Sequence, residues 1–207
     1  MKSFILLILL LPLPAMADND WRFTARGGHH YYLDGAYDLV FDVPLRGAGE
    51  FGLDWVLWSS TTAGSLGIGV AYEGGGMTGV VHQNLATNWT VQSLRAHAIY
   101  RWQAVGPLVL FGRVGPALHW TALALEGFDG RVLEAEGRGW GAHGGLGVDY
   151  LFIEPELMPH GDQLGFGVSL EATYAQFGDL DLEAGGTRLG AIDPSGPGWL
   201  FGLVLTW

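Results

Sequence analysis

The stretch GWGAHGGLGVDYLF, from Gly139 to Phe152, decides the fold. Every second residue is apolar or aromatic: Trp140, Ala142, Gly144, Leu146, Val148, Tyr150 and Phe152. The residues between them are small or polar: Gly139, Gly141, His143, Gly145, Gly147 and Asp149. Side chains alternate between the two faces of a strand, so this stretch is a strand with one greasy face and one small or polar face. The aromatic rings stand at the ends of the greasy face. The same period recurs in the last residues, where Trp199, Phe201, Leu203, Leu205 and Trp207 share a face. It recurs again with Leu164, Phe166, Val168, Leu170 and Tyr174, and with Leu94, Ala96, Ala98, Tyr100 and Trp102.

Outward from these stretches the pattern gives eight segments, near 20–30, 49–58, 65–75, 89–102, 107–122, 138–152, 163–177 and 198–207. Short connectors (59–64, 103–106, 153–162) alternate with long ones (31–48, 76–88, 123–137, 178–197). An even number of strands of about ten residues, with short turns at one end and long loops at the other, is the pattern of an outer-membrane barrel. The expected fold is therefore all-β, an eight-stranded antiparallel up-and-down transmembrane barrel. A soluble eight-stranded barrel is the competing reading. It would put the apolar set inside and would not need rings at two heights. Two features sit awkwardly with a regular barrel. Pro116 falls on the lipid face of the fifth segment, where a bulge at Gly115-Pro116 is expected. Tyr37 to Val43 also alternates, and could add a strand or extend the first loop.

Composition agrees with a folded barrel. The chain has 207 residues, 49% hydrophobic and only 15% charged, which excludes a disordered chain. No cysteine is present, so disulfides, thiolate metal sites and a cysteine nucleophile are excluded. The formal charge of -11 argues against nucleic acid as a partner. Lys2, the apolar run Phe4 to Leu13 and Ala15-Met16-Ala17 read as a secretory signal peptide over residues 1–17, leaving 18–207 as the barrel domain. The apolar run is too short to span a bilayer as a helix, which takes about 20 residues.

Projecting the polar face inward places Arg22, Arg26, Arg95, Arg101 and Arg113 in the lumen with Glu50, Asp54, Glu73, Asp149 and Glu171. Equal numbers of each sign allow the pairing that buried charges require. An eight-stranded barrel is just wide enough for side chains to fill it, so the expected lumen is a cross-linked polar plug. A narrow channel for small solutes is the alternative, because the many inward glycines could leave room for water. His97, His119 and His143 share the inward face but lack close metal-ligand spacing, so no metal, cofactor or catalytic residue is assigned. On the outer face, the expected aromatic girdle is Trp89, Tyr100, Trp102, Trp120, Trp140, Tyr150, Phe152, Trp199 and Trp207. The long connectors are acidic, with Asp34, Asp38, Asp42, Glu126, Asp129, Glu134, Glu136, Asp179, Asp181 and Glu183. They suit a solvated outer surface, or cation bridging to lipopolysaccharide.

Four stretches resemble the opacity-type and OmpA-type small outer-membrane barrels of Gram-negative bacteria. They are LEATYAQFGDLDL (Leu170 to Leu182), FGRVGPALHW (Phe111 to Trp120), the Gly139 to Phe152 strand and the terminal WLFGLVLTW. That family usually ends in Phe, and this chain ends in Trp207. The resemblance implies the fold and the outer membrane; the chain is read as a monomer, with both termini periplasmic and the long loops outside. It implies lipid and lipopolysaccharide as surroundings and the barrel-assembly machinery as a partner of the terminal strand. It implies no activity. The His-x-Ser pair of the small lipid A deacylases is absent, so a lipid A-modifying enzyme is the least favoured reading.

Overall fold

A computed structural model describes residues 21–33, 45–60, 63–81, 85–127, 129–153 and 164–207. The expected signal peptide, the Tyr37 to Val43 stretch and Asp34, Asp38 and Asp42 lie outside the described residues.

Among the described residues ten strands follow in chain order: β1 (Trp21–Tyr31), β2 (Leu45–Ser60), β3 (Gly64–Val81), β4 (Leu85–Val105), β5 (Leu108–Glu126), β6 (Val132–Ile153), β7 (Gly165–Phe177), β8 (Leu180–Ala184), β9 (Thr187–Ile192) and β10 (Gly196–Thr206). Eight of them close a ring, β1-β2-β3-β4-β5-β6-β7-β10, by antiparallel pairing throughout. β1 meets β10 from Arg22↔Thr206 to His30↔Gly198. The seam is completed by Trp21 N–H donating to the Trp207 carbonyl at 2.6 Å and Trp207 N–H to the Trp21 carbonyl at 3.0 Å. Within the ring each of the eight strands is paired on both sides.

The faces are turned as the alternation requires. Along β2, Phe51, Leu53, Trp55 and Leu57 are exposed while Glu50 and Asp54 are buried. Outside stand Leu, Val, Ile and aromatic rings, and inside stand Arg, Glu, Asp, His and Ser. This inversion of a soluble core suits a wall solvated by hydrocarbon.

Three expectations change. The long connectors 76–88 and 123–137 are mostly strand. The β3–β4 ladder runs on to Val81↔Leu85 and the β5–β6 ladder to Glu126↔Val132. β3 to β6 are thus 18 to 22 residues long, against 11 for β1 and β10. A tilted strand needs only about 9–11 residues to cross a bilayer, so these four project well past the shorter wall. Beyond hydrocarbon the outward face meets water and need not be apolar, so hydrophobic alternation no longer marks a strand, although Thr87 and Ala135 are still buried on the inward face. The stretch 178–197 holds the β8–β9 hairpin, which turns at Gly185-Gly186 (φ +55° and +81°) and touches β6 at Glu136↔Glu183. Two consecutive positive φ values are what a tight two-residue hairpin turn demands, and glycine supplies them without strain.

Finally, Gly115-Pro116 is not a bulge. The β4–β5 register is the same on either side of it, at Arg95↔Ala117 and Ala98↔Val114, and Pro116 pairs with Ala142 on β6. The assigned β4–β5 pairs are interrupted at Ala96 and His97, where Pro116 has no N–H to donate. Gly115 lies so near β4 that a Cβ there would stand 2.0 Å from the Ala96 carbonyl oxygen. Close approach, rather than an extra residue, accommodates the proline. The register shifts of the barrel wall fall at Val56/Trp58, Gln103/Val105 and Leu151/Ile153, near the end that carries the termini.

Candidate functional site: the ion network of the lumen

The lumen is built in layers. Nearest the termini lies an apolar cluster of Val109, Leu151 and Val204. Above it Arg22, from β1, holds Asp149 of β6 with two bonds (Nε to Oδ2 2.8 Å, Nη2 to Oδ1 2.9 Å) and Asp54 of β2 with a third (2.7 Å). Its guanidinium lies 4.5 Å from the centre of the Phe111 ring. His97 Nε2 closes this layer on Asp54 Oδ1 at 2.7 Å.

The middle layer centres on Glu50. Arg113 Nη2 donates to both its oxygens (3.0 and 2.8 Å), Arg95 Nη1 to Oε2 at 3.2 Å, and Arg26 Nη2 to Oε1. Arg26 and Arg113 also share Glu171, the latter through Nε at 2.7 Å. Toward the loops, Glu73 receives Arg95 at 2.8 Å, His30 at 2.8 Å, and Arg46. Arg95 therefore ties the middle layer to the upper one. An aromatic layer follows, in which Tyr32 stacks on Trp89 with ring centres 5.4 Å apart, packed with Val91. Tyr32 lies just beyond β1, and its burial pushes the phenol up to about 12, so it stays neutral.

Nine of the ten residues projected inward meet in these layers. Arg101 does not join the buried set. It is half-buried at the terminus end of β4, opposite Ser65 and Phe111. Arg46 takes the fifth cationic place, so the buried ions among the described residues are still five of each sign. Arg46 and His30 escaped notice because both fall in the 31–48 connector or at its margin. The available signal was parity, since Arg46 lies four residues before Glu50 and eight before Asp54 on one face.

The girdle needs one correction. Trp89 points inward, is only 3% exposed, and donates its indole N–H to Thr121 Oγ1. Its odd number put it on the face of Ser93 and Arg95, opposite Tyr100 and Trp102. Trp120 is half-buried on the outer side and donates to Gln92 Oε1 at 2.9 Å. Tyr100, Trp102, Trp140, Tyr150, Phe152, Trp199 and Trp207 are exposed on the exterior.

The inward glycines are occupied by neighbours. A Cβ on Gly145 would stand 1.8 Å from Glu171 Oε1, and one on Gly69 2.1 Å from Asp54 Oδ1 and 2.6 Å from His97 Nε2. Gly139, Gly141 and Gly147 make way in the same manner for Leu180, Phe177 and Phe111. Their missing side chains are the space into which the ion pairs and rings fit. Among the described residues no group of three or more His, Asp or Glu is placed to hold a metal ion.

No protein-family model matches the chain, and no curated protein matches its sequence. Solved structures do. The attachment invasion locus protein Ail of Yersinia pestis superposes with a TM-score of 0.52 at 11% identity, covering 91% of this chain and 98% of Ail. Ail has also been solved in complex with the heparin analogue sucrose octasulfate. The outer membrane protein OprG from Pseudomonas aeruginosa gives a TM-score of 0.55 at 12% identity, covering 91% of this chain and 96% of OprG. Neisserial surface protein A gives 0.50 at 12% identity, covering 90% and 95%. At such identities the likeness speaks for the fold alone. With its closed ring, greasy exterior and ionic interior, the chain has the fold of the small eight-stranded outer-membrane barrels.

Proposed function

We propose that this chain is a non-enzymatic outer-membrane protein whose lumen is a solid plug, and that it serves membrane structure or surface interaction through its long loops. The carrying observation is the lumen itself: among the described residues five arginines and five carboxylates, each 5% exposed or less, pair with one another between apolar layers. A conducting pore needs ions to be hydrated along its path. This interior offers each charged group a protein partner instead.

The loop end sets the kind of partner. Glu126, Glu134, Glu136, Asp181 and Glu183 are exposed there, against Arg131, Arg138 and Arg188. Two of those arginines already face acids, Arg131 with Asp129 (3.2 Å) and Arg188 with Asp181 (2.5 Å). Such a surface suits cationic partners, or lipopolysaccharide bridged by divalent cations. It does not suit a polyanion of the kind bound by Ail. The chain acts as a monomer, and its terminal strand, ending at Trp207, serves as the handle for the barrel-assembly machinery.

Planar-bilayer recording of the refolded protein at neutral pH tests the plug. Silence is expected, and reproducible openings overturn it. Heat-modifiable gel mobility of outer-membrane fractions, with protease added to whole cells, tests location and loop exposure together.

A further inference from the structure

Among the described residues the lumen holds four buried imidazoles, and one differs from the rest. His30 Nε2 faces Glu73 at 2.8 Å and His97 Nε2 faces Asp54 at 2.7 Å. His119 Nδ1 meets the Ser93 hydroxyl at 2.7 Å. His143, 4% exposed, has no hydrogen-bond partner on either ring nitrogen. It stands edge-on to His97, with ring centres 5.7 Å apart. Its cross-strand partners are Gly115 on β5 and Ala175 on β7, neither of which offers a side-chain acceptor. The charged groups acting on it are Arg95 and His97 from β4, Arg113 from β5 and Glu50 from β2. Glu50 is already shared by three arginines.

We propose that His143 is an acid sensor built into the plug. A proton on His143 adds a sixth positive charge to a lumen balanced at five against five. Among the described residues no carboxylate is left to receive it, because Glu50, the one that acts on it, is already shared by three arginines. The new charge repels Arg95, which ties the middle layer to Glu73, and Arg113, which joins Glu50 to Glu171 within that layer. In a low-dielectric interior an unpaired charge is relieved by admitting water. Acid therefore loosens the interlayer ties and opens the lumen to water and small ions. Protons at His30 and His97 have a different consequence, since each lands beside a carboxylate.

This inference rests on the plugged lumen proposed above, and the two fail separately. The experiment records single-channel conductance of the refolded full-length protein from pH 7.5 down to 2.5, because burial and the facing guanidiniums oppose a proton on His143 until the medium is strongly acid, for wild type and H143N. Wild type is expected to be silent at neutral pH and to open in acid, with frequency rising by at most about tenfold per pH unit, as one titrating group allows. H143N is expected to stay silent throughout. Openings in both proteins in acid, or in neither, overturn the sensor. Openings at pH 7.5 overturn the plug instead. Should H143N fail to reach the heat-modifiable form, the imidazole 15N resonances of wild type decide. A protonation change at His143 in the range where openings begin supports the proposal, and a ring neutral across that range refutes it.

Discussion

Replacing Glu50 with Gln removes one negative charge from the centre of the plug while keeping its volume. Glu50 is fully buried and receives Arg26, Arg95 at 3.2 Å and Arg113 at 2.8 Å. The amide oxygen can still accept from one guanidinium, but its NH2 group points donors at the others. The lumen is left with five cations and four anions. Breaking a buried ion pair from one side costs about 3–5 kcal/mol. For a chain of this length each kcal/mol lowers Tm by roughly 2–4 °C, so E50Q should lose roughly 6–20 °C. The assay is the temperature at which the folded gel band converts to the unfolded one in detergent, read beside the surface control E134Q, which should not move. Adding R113Q to E50Q removes the stranded cation and should recover part of the loss, because residues sharing a network are not additive. A midpoint for E50Q within about 2 °C of wild type refutes the ion network as a source of stability.

Other outcomes follow from the same layers. Glu171→Ala takes from Arg26 and Arg113 one of the two carboxylates each of them holds and should lower the midpoint about as far as E50Q, by the same gel assay. Trp89→Ala should cost about 3–5 kcal/mol in urea unfolding from vesicles, as for other buried tryptophans. Trp140→Ala, on the exterior, should cost less than half as much, and equal losses would reinstate Trp89 in the girdle. Gly69→Ala should destabilise by about 1–3 kcal/mol in the same unfolding experiment, because its methyl group collides with Asp54, His97 and the Leu53 carbonyl. Trp207→Ala should lower the yield of folded protein in outer-membrane fractions while refolding in detergent is nearly unchanged, and Trp207→Phe should restore the yield.

Much of this fold is written in alternation. A period of two, with rings at the ends of the apolar set, suffices to orient each wall strand, because a strand has only two faces and the bilayer demands one of them. Parity alone then assigns Glu50, Asp54, Glu73, Arg95, Arg113 and Glu171 to the inside. It also assigns Trp89 there, although tryptophan is common at membrane interfaces. Where the strands leave hydrocarbon the outward face turns polar, and the apolar period that marks a strand fades. The extensions of β3 to β6 and the β8–β9 hairpin are hidden for that reason, and with the start of β2 unmarked the parity that places Arg46 inside has no strand to act on.

The partners of each charge, by contrast, belong to the closed ring. Arg22 meets Asp149 across 127 residues of chain, and Arg26 meets Glu171 across 145. Those encounters depend on closure between β1 and β10 and on the relative stagger of eight strands, which no local pattern records. The glycines carry the same lesson. In the sequence Gly69 and Gly145 are empty positions, open to water or to curvature. Only the assembled barrel shows that a carboxylate from another strand fills each one, because the space a glycine leaves is defined by what stands opposite.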